Sequence, residues 1–190
     1  MLDLLNPNAG DADTFDLAVV GAGSAGFSAA ITAAEDGARV ALIGYGTIGG
    51  TCVNVGCVPS KAMIRAVETL HSAKGADRFD GVEATAKVAD WAAMVAQKQA
   101  LVDDLRAAKY VDVLPNYECI TYIEGQASFA KGGSLKVGNR TIRAPKVIIA
   151  TGSSPHVPDI SGLDEVDWLD STSALEQSEL PKSLMVMGDG

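Results

Sequence analysis

Two cysteines separated by four residues are the side chains in this chain best suited to chemistry. Cys52 and Cys57 lie among small residues in a stretch that runs from Gly49 to Lys61, and the third cysteine, Cys119, lies far along the chain. A close cysteine pair can act as a redox-active dithiol, bind a metal ion, or be two reduced thiols packed in a core. A zinc site is disfavoured because it needs a second pair of ligands, which the sequence does not supply.

The spacing of the pair restricts the backbone around it. In a regular α-helix, residues five apart rise by about 7.5 Å, whereas a disulfide needs Cα atoms within about 7 Å of each other. Cys52 and Cys57 can therefore be bridged only if a helix is distorted or begins between them, and Gly56 and Pro59 allow this. If Pro59 lies in the first turn of a helix, the positive helix end stabilises a thiolate at Cys57, and Lys61 adds a positive charge nearby.

A glycine-rich turn precedes the cysteine stretch. The sequence GAGSAG at residues 21–26 follows an apolar run at 15–20 and opens an alanine-rich segment at 25–36, and residues 39–43 are a second apolar run. This pattern predicts a strand–turn–helix–strand unit that binds a dinucleotide pyrophosphate at the helix N-terminus. Gly21 permits the tight turn, Gly23 the close approach of the pyrophosphate, and Gly26 the close packing of helix and strand.

One part of the dinucleotide pattern is missing. An acidic residue is expected at the end of the second strand, where it holds the ribose hydroxyls. Gly44 stands there instead. Either other groups hold the ribose, or the adenosine site is weaker.

The remaining segments predict an α/β fold. Helical periodicity predicts helices over residues 62–74 and 89–110. Alternating apolar residues predict a small antiparallel meander of four strands, at 119–124, 126–129, 134–137 and 140–143. Apolar runs at 146–152 and 183–190 predict two further strands, and residues 175–180 a short helix. We expect Cys119 to be a core residue, and His71 and His156 to be surface or structural residues.

The composition excludes several classes of partner. The net charge is −9 and no cluster of Lys and Arg is present, which argues against nucleic acid and anionic membrane surfaces. No apolar run is long enough to span a bilayer, and the N-terminus lacks the pattern of a secretory signal. We therefore expect a cytoplasmic protein, where a structural disulfide is rare.

Three segments together resemble the pyridine nucleotide–disulfide oxidoreductases. They are the glycine turn, TIGGTCVNVGCVPSK at residues 47–61, and VIIATGSSPHVP at residues 147–158. The resemblance extends from about Phe15 to Gly190. Within that family, the runs SKAMIRA at 60–66 and DLRAAKY at 104–110 are most similar to mercuric reductases, rather than to glutathione reductases or dihydrolipoyl dehydrogenases.

The resemblance implies a redox disulfide beside a flavin. FAD would bind across the glycine turn, NADPH would reduce it, and the flavin would reduce a Cys52–Cys57 disulfide. Cys57 would be the flavin-facing charge-transfer thiolate, Cys52 the interchange thiol, and Lys61 would tune the flavin. The cofactor contacts implied by the family pattern are Gly21, Gly23, Ser24, Ala25, Gly26, Gly50, Thr51, Lys61, Ala127, Thr151, Gly152 and Ser153.

In mercuric reductases the dithiol binds Hg(II), which accepts two electrons and leaves as Hg(0). The alternatives are a dihydrolipoyl dehydrogenase, a glutathione reductase-like enzyme, or a non-catalytic FAD-binding fragment. The family pattern implies a homodimer, with a C-terminal domain that completes the site.

The resemblance also implies how the chain is divided. Residues 1–14 would be a flexible lead-in, and 15–158 a Rossmann-like FAD-binding domain with three layers: an antiparallel meander, a parallel sheet and helices. Residues 159–190 would connect to the first strand and turn of an incomplete NAD(P)-binding domain, which holds most of the NADPH site beyond residue 190. We therefore expect the chain to be the N-terminal part of a longer protein and to be inactive alone.

Overall fold

A computed structural model describes residues 13–188. The chain divides into two compact units, each made of two separate stretches. The first holds the described residues up to Cys52 together with Leu105–Ser154, and the second holds Val53–Asp104 together with the described residues from Pro155. The glycine turn and every strand within residues 13–188 belong to the first unit.

A four-stranded parallel sheet forms the centre of the first unit. Its order is β3-β2-β1-β7, with β1 at Leu17–Val20, β2 at Val40–Gly44, β3 at Ile120–Glu124 and β7 at Val147–Ile149. Every pairing between neighbouring strands is parallel. All residues of β2 and the first three of β1 are buried, as the apolar runs predict for strands covered on both faces.

An antiparallel sheet covers one face of the parallel sheet. It consists of β4 at Ala127–Phe129, β5 at Leu135–Val137 and β6 at Arg140–Ile142. Ala41, Ile43 and Ile123 of the parallel sheet share one core cluster with Leu135, Val137 and Ile142 of the antiparallel sheet. The α/β fold with a parallel sheet and a small antiparallel sheet is therefore confirmed.

Helix α1, at Ser24–Glu35, forms the third layer. Its buried residues are Gly26, Phe27 and Ala30. An added Cβ at Gly26 would lie 3.5 Å from Cγ1 of Val19, so the helix lies on the Val19 face of β1. The helix ends at Glu35, followed by Gly37 with a φ of 85°, where the sequence predicts its end.

Helices dominate the second unit. Helix α2, at Gly50–Asn54, crosses the boundary between the units, α3 spans Cys57–Lys74 and α4 spans Trp91–Arg106. The α4 segment continues into a π-helical turn at Ala107–Val111, which belongs to the first unit. A short 3-10 helix at Ser173–Glu176 lies near the predicted helix at 175–180. Among the described residues, no helix is both long and apolar enough to cross a bilayer.

Two sequence-based expectations about the segment around residue 120 are wrong. Residues Ile120–Glu124 pair in parallel with β2 instead of joining the meander, which therefore has three strands. Alternating apolar residues fit an edge strand of either sheet, so the pattern could not choose between them. Cys119, just before this strand, is exposed and not a core residue.

At both ends of the described chain, the structure differs from the lead-in and the strand that the sequence predicts. Most of the predicted lead-in, residues 1–12, lies outside the described residues, but Asp13 accepts two hydrogen bonds from the Arg140 guanidinium, and Thr14 forms a β-bridge with Arg143. Within the described chain, the apolar run at 183–188 is not in a strand and is exposed. Its assignment to an NAD(P)-binding domain stays a prediction.

Candidate dinucleotide and dithiol site

The glycine turn lies at the carboxyl edge of the parallel sheet. Gly21 follows β1 directly, and its N–H donates to the carbonyl of Ile43 over 2.8 Å. Its φ is +123°, and an added Cβ would lie 1.9 Å from the carbonyl oxygen of Ala150. Only glycine fits here, because the turn passes directly beside the end of β7.

The N-terminus of α1 is open to an anion. Gly23 is the N-cap, no side chain caps the first turn, and no acidic residue lies in it. An added Cβ at Gly26 would lie 1.8 Å from the Gly21 carbonyl oxygen, which confirms the predicted close packing of helix and strand. Backbone N–H groups, the positive helix end and the absence of a carboxylate fit a dinucleotide pyrophosphate.

Tyr110 fixes the first turn of α1, a role that the sequence alone did not reveal. Its hydroxyl lies 2.9 Å from Oγ of Ser24, and its ring packs edge-on against Phe27 with 4.9 Å between centroids. Tyr110 is 9% exposed and lies in the π-helical turn after α4. A residue so far away in the sequence could be linked to Ser24 only through the structure.

The cysteine stretch begins in contact with the glycine turn. The N–H of Gly49 donates to the carbonyl of Ala22 over 2.9 Å, and Gly49 forms an isolated β-bridge with Gly23. Gly50 has a φ of +68°, and an added Cβ there would lie 2.7 Å from the Cα of Gly23. Thr51 and Cys52 follow in the first turn of α2, and both are exposed.

A helix begins between the two cysteines, as their spacing requires for a bridge. Helix α2 ends at Asn54, and α3 begins at Cys57 with Gly56 as its N-cap. Pro59 is buried in the first turn of α3, as predicted, and Ser60 Oγ donates to the Gly56 carbonyl over 2.7 Å. Cys57 is an exposed free thiol at the positive end of an 18-residue helix.

The other predicted site residues are divided between the first and the second unit. Thr151, Gly152 and Ser153 follow β7 and are exposed, and an added Cβ at Gly21 would lie 3.0 Å from the Thr151 N. Ala127 is half-buried at the start of β4. All four belong to the first unit, whereas Cys57 and the exposed Lys61 belong to the second.

The missing acid at residue 44 has a steric explanation. An added Cβ at Gly44 would lie 2.6 Å from the hydroxyl oxygen of Tyr122 and 2.7 Å from the Cβ of Ala22. Burial raises the pKa of the Tyr122 phenol, and the negative charge of Glu124 raises it further. Neither residue stood out in the sequence, because their place beside Gly44 depends on the β2–β3 register.

Comparison with known proteins gives a family match and similar proteins over most of this chain. Residues 15–190 match the family model described as pyridine nucleotide-disulphide oxidoreductase. The chain is 46% identical to a mercuric reductase of Streptomyces lividans, over 93% of this chain and 38% of that protein. It is 47% identical to a mercuric reductase of Staphylococcus aureus, over 93% of this chain and 32% of that protein.

A solved structure is similar over most of the chain. The HOCl-induced flavoprotein disulfide reductase RclA from Escherichia coli superposes with a TM-score of 0.72 at 33% identity. The match covers 87% of this chain and 35% of that one. The chain thus spans about a third of the length of these relatives.

The family match, the relatives and the fold all indicate the same family as the glycine turn and the cysteine stretch. The family's name implies a pyridine nucleotide cofactor and disulfide chemistry, and the structural neighbour is named a flavoprotein. The chain belongs to the pyridine nucleotide-disulphide oxidoreductase family.

Proposed function

We propose that this chain is the FAD-binding and dithiol-bearing part of an NADPH-dependent mercuric reductase. The observation that carries the proposal is the contact between the two motifs. The Gly49 N–H bonds to Ala22, and Gly50 packs on Gly23. Thr51 and Cys52 follow Gly50 directly in the chain, so this contact brings the start of the cysteine stretch beside the glycine turn. Relatives named mercuric reductase, at 41–47% identity, support the choice of substrate.

The residues of this chain would hold FAD chiefly through backbone groups. Gly21, Gly23, Ser24, Ala25 and Gly26 would surround the pyrophosphate, because the first turn of α1 offers N–H groups and no side-chain cap. The further contacts would come from Gly50, Thr51, Lys61, Ala127, Thr151, Gly152 and Ser153. When bound, FAD would supply a two-electron carrier between NADPH and the cysteine pair.

The two thiols would bind the substrate. Hg(II) is a soft cation, and paired thiolates are soft ligands that favour it over hard cations. Both cysteines are exposed and thus accessible to a metal ion. By the family pattern, Cys52 would be the interchange thiol, and Cys57, the first residue of α3, would be the flavin-facing one. Lys61, one turn further along α3, would lie beside the flavin.

The overall reaction would transfer two electrons from NADPH to Hg(II), releasing NADP⁺, a proton and Hg(0). The full-length protein would be a cytoplasmic homodimer that binds neither nucleic acid nor membranes. Residues 15–158 would form the first part of its FAD-binding domain, and residues 159–190 would lead into its NAD(P)-binding domain. NADPH would bind mostly to that second domain.

The test uses the full-length protein with NADPH and excess small-molecule thiol. We expect bound FAD, and NADPH oxidation that depends on added Hg(II) with release of Hg(0) vapour. Lipoamide and glutathione disulfide serve as the competing substrates. Turnover of either one without Hg(II)-dependent oxidation would replace the mercury assignment with another disulfide reductase. Bound FAD without turnover of any of the three would indicate a non-catalytic flavin-binding protein.

A further inference from the structure

The end of β2 lacks the acid that usually holds a ribose, and the Tyr122 side chain of the neighbouring strand β3 lies in its place. In dinucleotide-binding folds that acid accepts hydrogen bonds from the ribose hydroxyls. Here the Tyr122 hydroxyl lies 2.6 Å, and its Cε2 2.9 Å, from the position of a Cβ at residue 44. The phenol of Tyr122 thus occupies the volume into which an acidic side chain at residue 44 would extend.

The strand register brings a carboxylate to the same place. Leu42 pairs with Tyr122, and Gly44 pairs with Glu124. Paired residues of parallel strands, and residues two apart along one strand, point to the same face of a sheet. Tyr122 and Glu124 therefore share the face of Gly44 at the carboxyl edge of the sheet.

That face is the one that carries the phosphate-binding turn. Val19 pairs with Leu42 and lies under Gly26 of α1. Ala22, inside the turn, would contact a side chain at residue 44 at 2.7 Å. Tyr122 and Glu124 therefore flank the glycine turn on the side of β2, where the adenosine half of a dinucleotide lies in this fold.

The chemistry of the two side chains matches a ribose diol. Burial and the Glu124 charge raise the pKa of Tyr122, so the phenol is protonated at neutral pH and can both donate and accept a hydrogen bond. Glu124 is exposed and accepts hydrogen bonds. A ribose offers two neighbouring hydroxyls that can each donate one bond.

We propose that Tyr122 and Glu124 together replace the missing acid as ligands of the adenosine ribose hydroxyls. This inference rests on the proposed function, because it requires FAD at the glycine turn. It assigns ribose recognition to the end of β3 rather than the end of β2.

The test compares FAD with an analogue that lacks both adenosine ribose hydroxyls. Each is titrated into the flavin-free full-length protein, and the ratio of the two Kd values is measured. We expect the wild-type protein to prefer FAD by about tenfold or more. Tyr122→Phe keeps the ring and removes only the hydroxyl, and Glu124→Gln removes only the charge. Both variants should lose most of the preference by binding FAD more weakly.

A matched control and a rescue variant separate ligation from packing. Tyr117→Phe removes another phenol hydroxyl of the first unit, one that donates to Glu35 over 3.3 Å, and should keep the preference. Gly44→Glu combined with Tyr122→Ala and Ala22→Gly removes both side chains that a Cβ at residue 44 would meet, and places an acid where the phenol was. It should regain much of the preference that Tyr122→Ala alone loses.

The outcomes distinguish this inference from the function on which it rests. A wild-type protein that binds FAD and the analogue equally, or variants that keep the full preference, would overturn the role of Tyr122 and Glu124 alone. A folded wild-type protein that binds no FAD would overturn the proposed function and this inference together.

Discussion

Two exposed thiols on either side of a helix start carry the proposed chemistry at the scale of single residues. Replacing Cys57 by Ser in the full-length protein should lower Hg(II)-dependent NADPH oxidation by at least a hundredfold, because a hydroxyl is a poor ligand for a soft metal ion. Bound FAD, measured by its visible absorption, should stay close to the wild-type amount.

The control for that prediction is Cys119→Ser. Cys119 is also an exposed free thiol, but it precedes β3 and belongs to no predicted site. We expect its loss to leave the mercury activity unchanged. Equal losses in the two variants would show that general thiol content, rather than Cys57, supports the activity.

Tyr122 gives a pH prediction. Its pKa is raised in the folded state by burial and by Glu124, so folding favours the protonated phenol. The stability that this contributes is complete below the pKa of an unfolded tyrosine, about 10, and is lost as the pH rises through the higher folded value. The free energy of unfolding should therefore fall more steeply above pH ~10 for the wild type than for Tyr122→Phe.

Denaturant titrations at a series of alkaline pH values measure that difference. Tyr117, whose pKa is also raised, is present in both proteins and cancels. Parallel pH profiles for the two proteins would show that Tyr122 ionises alike in the folded and unfolded states.

Residue types were informative only where chemistry is local. The glycines of the turn and the two cysteines stood out because their spacing in the chain reflects local backbone geometry. Tyr110 and Tyr122 did not, because each acts on a residue that only tertiary structure brings near, Ser24 in one case and Gly44 in the other. For Tyr122, the only signal in the sequence was the glycine at residue 44, where an acid is expected.

The packing of α1 on β1 leads to a prediction at the scale of elements. Gly26→Ala would place a Cβ 1.8 Å from the Gly21 carbonyl oxygen, so the helix must shift away from the strand. We expect a loss of about 1–3 kcal/mol of stability, the typical cost of overpacking, together with weaker FAD binding. Thermal or denaturant unfolding of the full-length protein measures the first and flavin titration the second.

Gly75→Ala is the matched control for that change. Gly75 has a φ of −91° at the end of α3, and an added Cβ there would make an ordinary contact of 3.5 Å. Its effect on unfolding should be small. A Gly26 variant as stable as the Gly75 variant would contradict the close packing described for α1.

Elements were predicted best where a helix or strand is bounded by glycine or proline. Strand β1, helix α1 and strand β2 lie within a few residues of their predicted positions. Helix α3 begins at Cys57 rather than at residue 62, because Pro59 is compatible with a first helical turn and does not delay the helix. Strand β3 was assigned to the wrong sheet, because alternation does not specify a partner.

The whole molecule consists of two units that are each discontinuous in sequence. This division could not be read from composition, because the crossings near residues 52 and 104 lie inside helices α2 and α4 instead of in linkers. The strand–turn–helix pattern predicted the parallel sheet and helix α1 of the first unit, and alternating apolar residues predicted the antiparallel sheet. Their arrangement in three layers was implied by the family resemblance. The organisation of the second unit could not be predicted, because helical periodicity alone does not define which helices pack together.

Hydrogen exchange tests whether backbone amides are protected in the buried strands and unprotected in the exposed segment 183–188. Backbone amides of β1 and β2 should be strongly protected, because these strands are buried and paired on both sides. Residues 183–188 should exchange rapidly, because the structure shows them exposed and outside any strand. Protection there comparable to that of β1, measured by mass spectrometry on this chain, would instead support the strand that the apolar pattern predicts.

The contact between Gly23 and Gly50 has a consequence for how such sequences can diverge. A side chain at residue 50 would meet the Cα of Gly23 at 2.7 Å, whereas a Cβ at residue 23 would lie 3.5 Å from the Cα of Gly50, which is an ordinary contact. The contact therefore restricts residue 50 more than residue 23. The glycine turn thus limits which residue can begin the thiol-bearing helix α2. Among sequences that keep this contact, we expect residue 50 to stay glycine, because it combines a φ of +68° with the close approach to Gly23, even where the chain between the two residues varies.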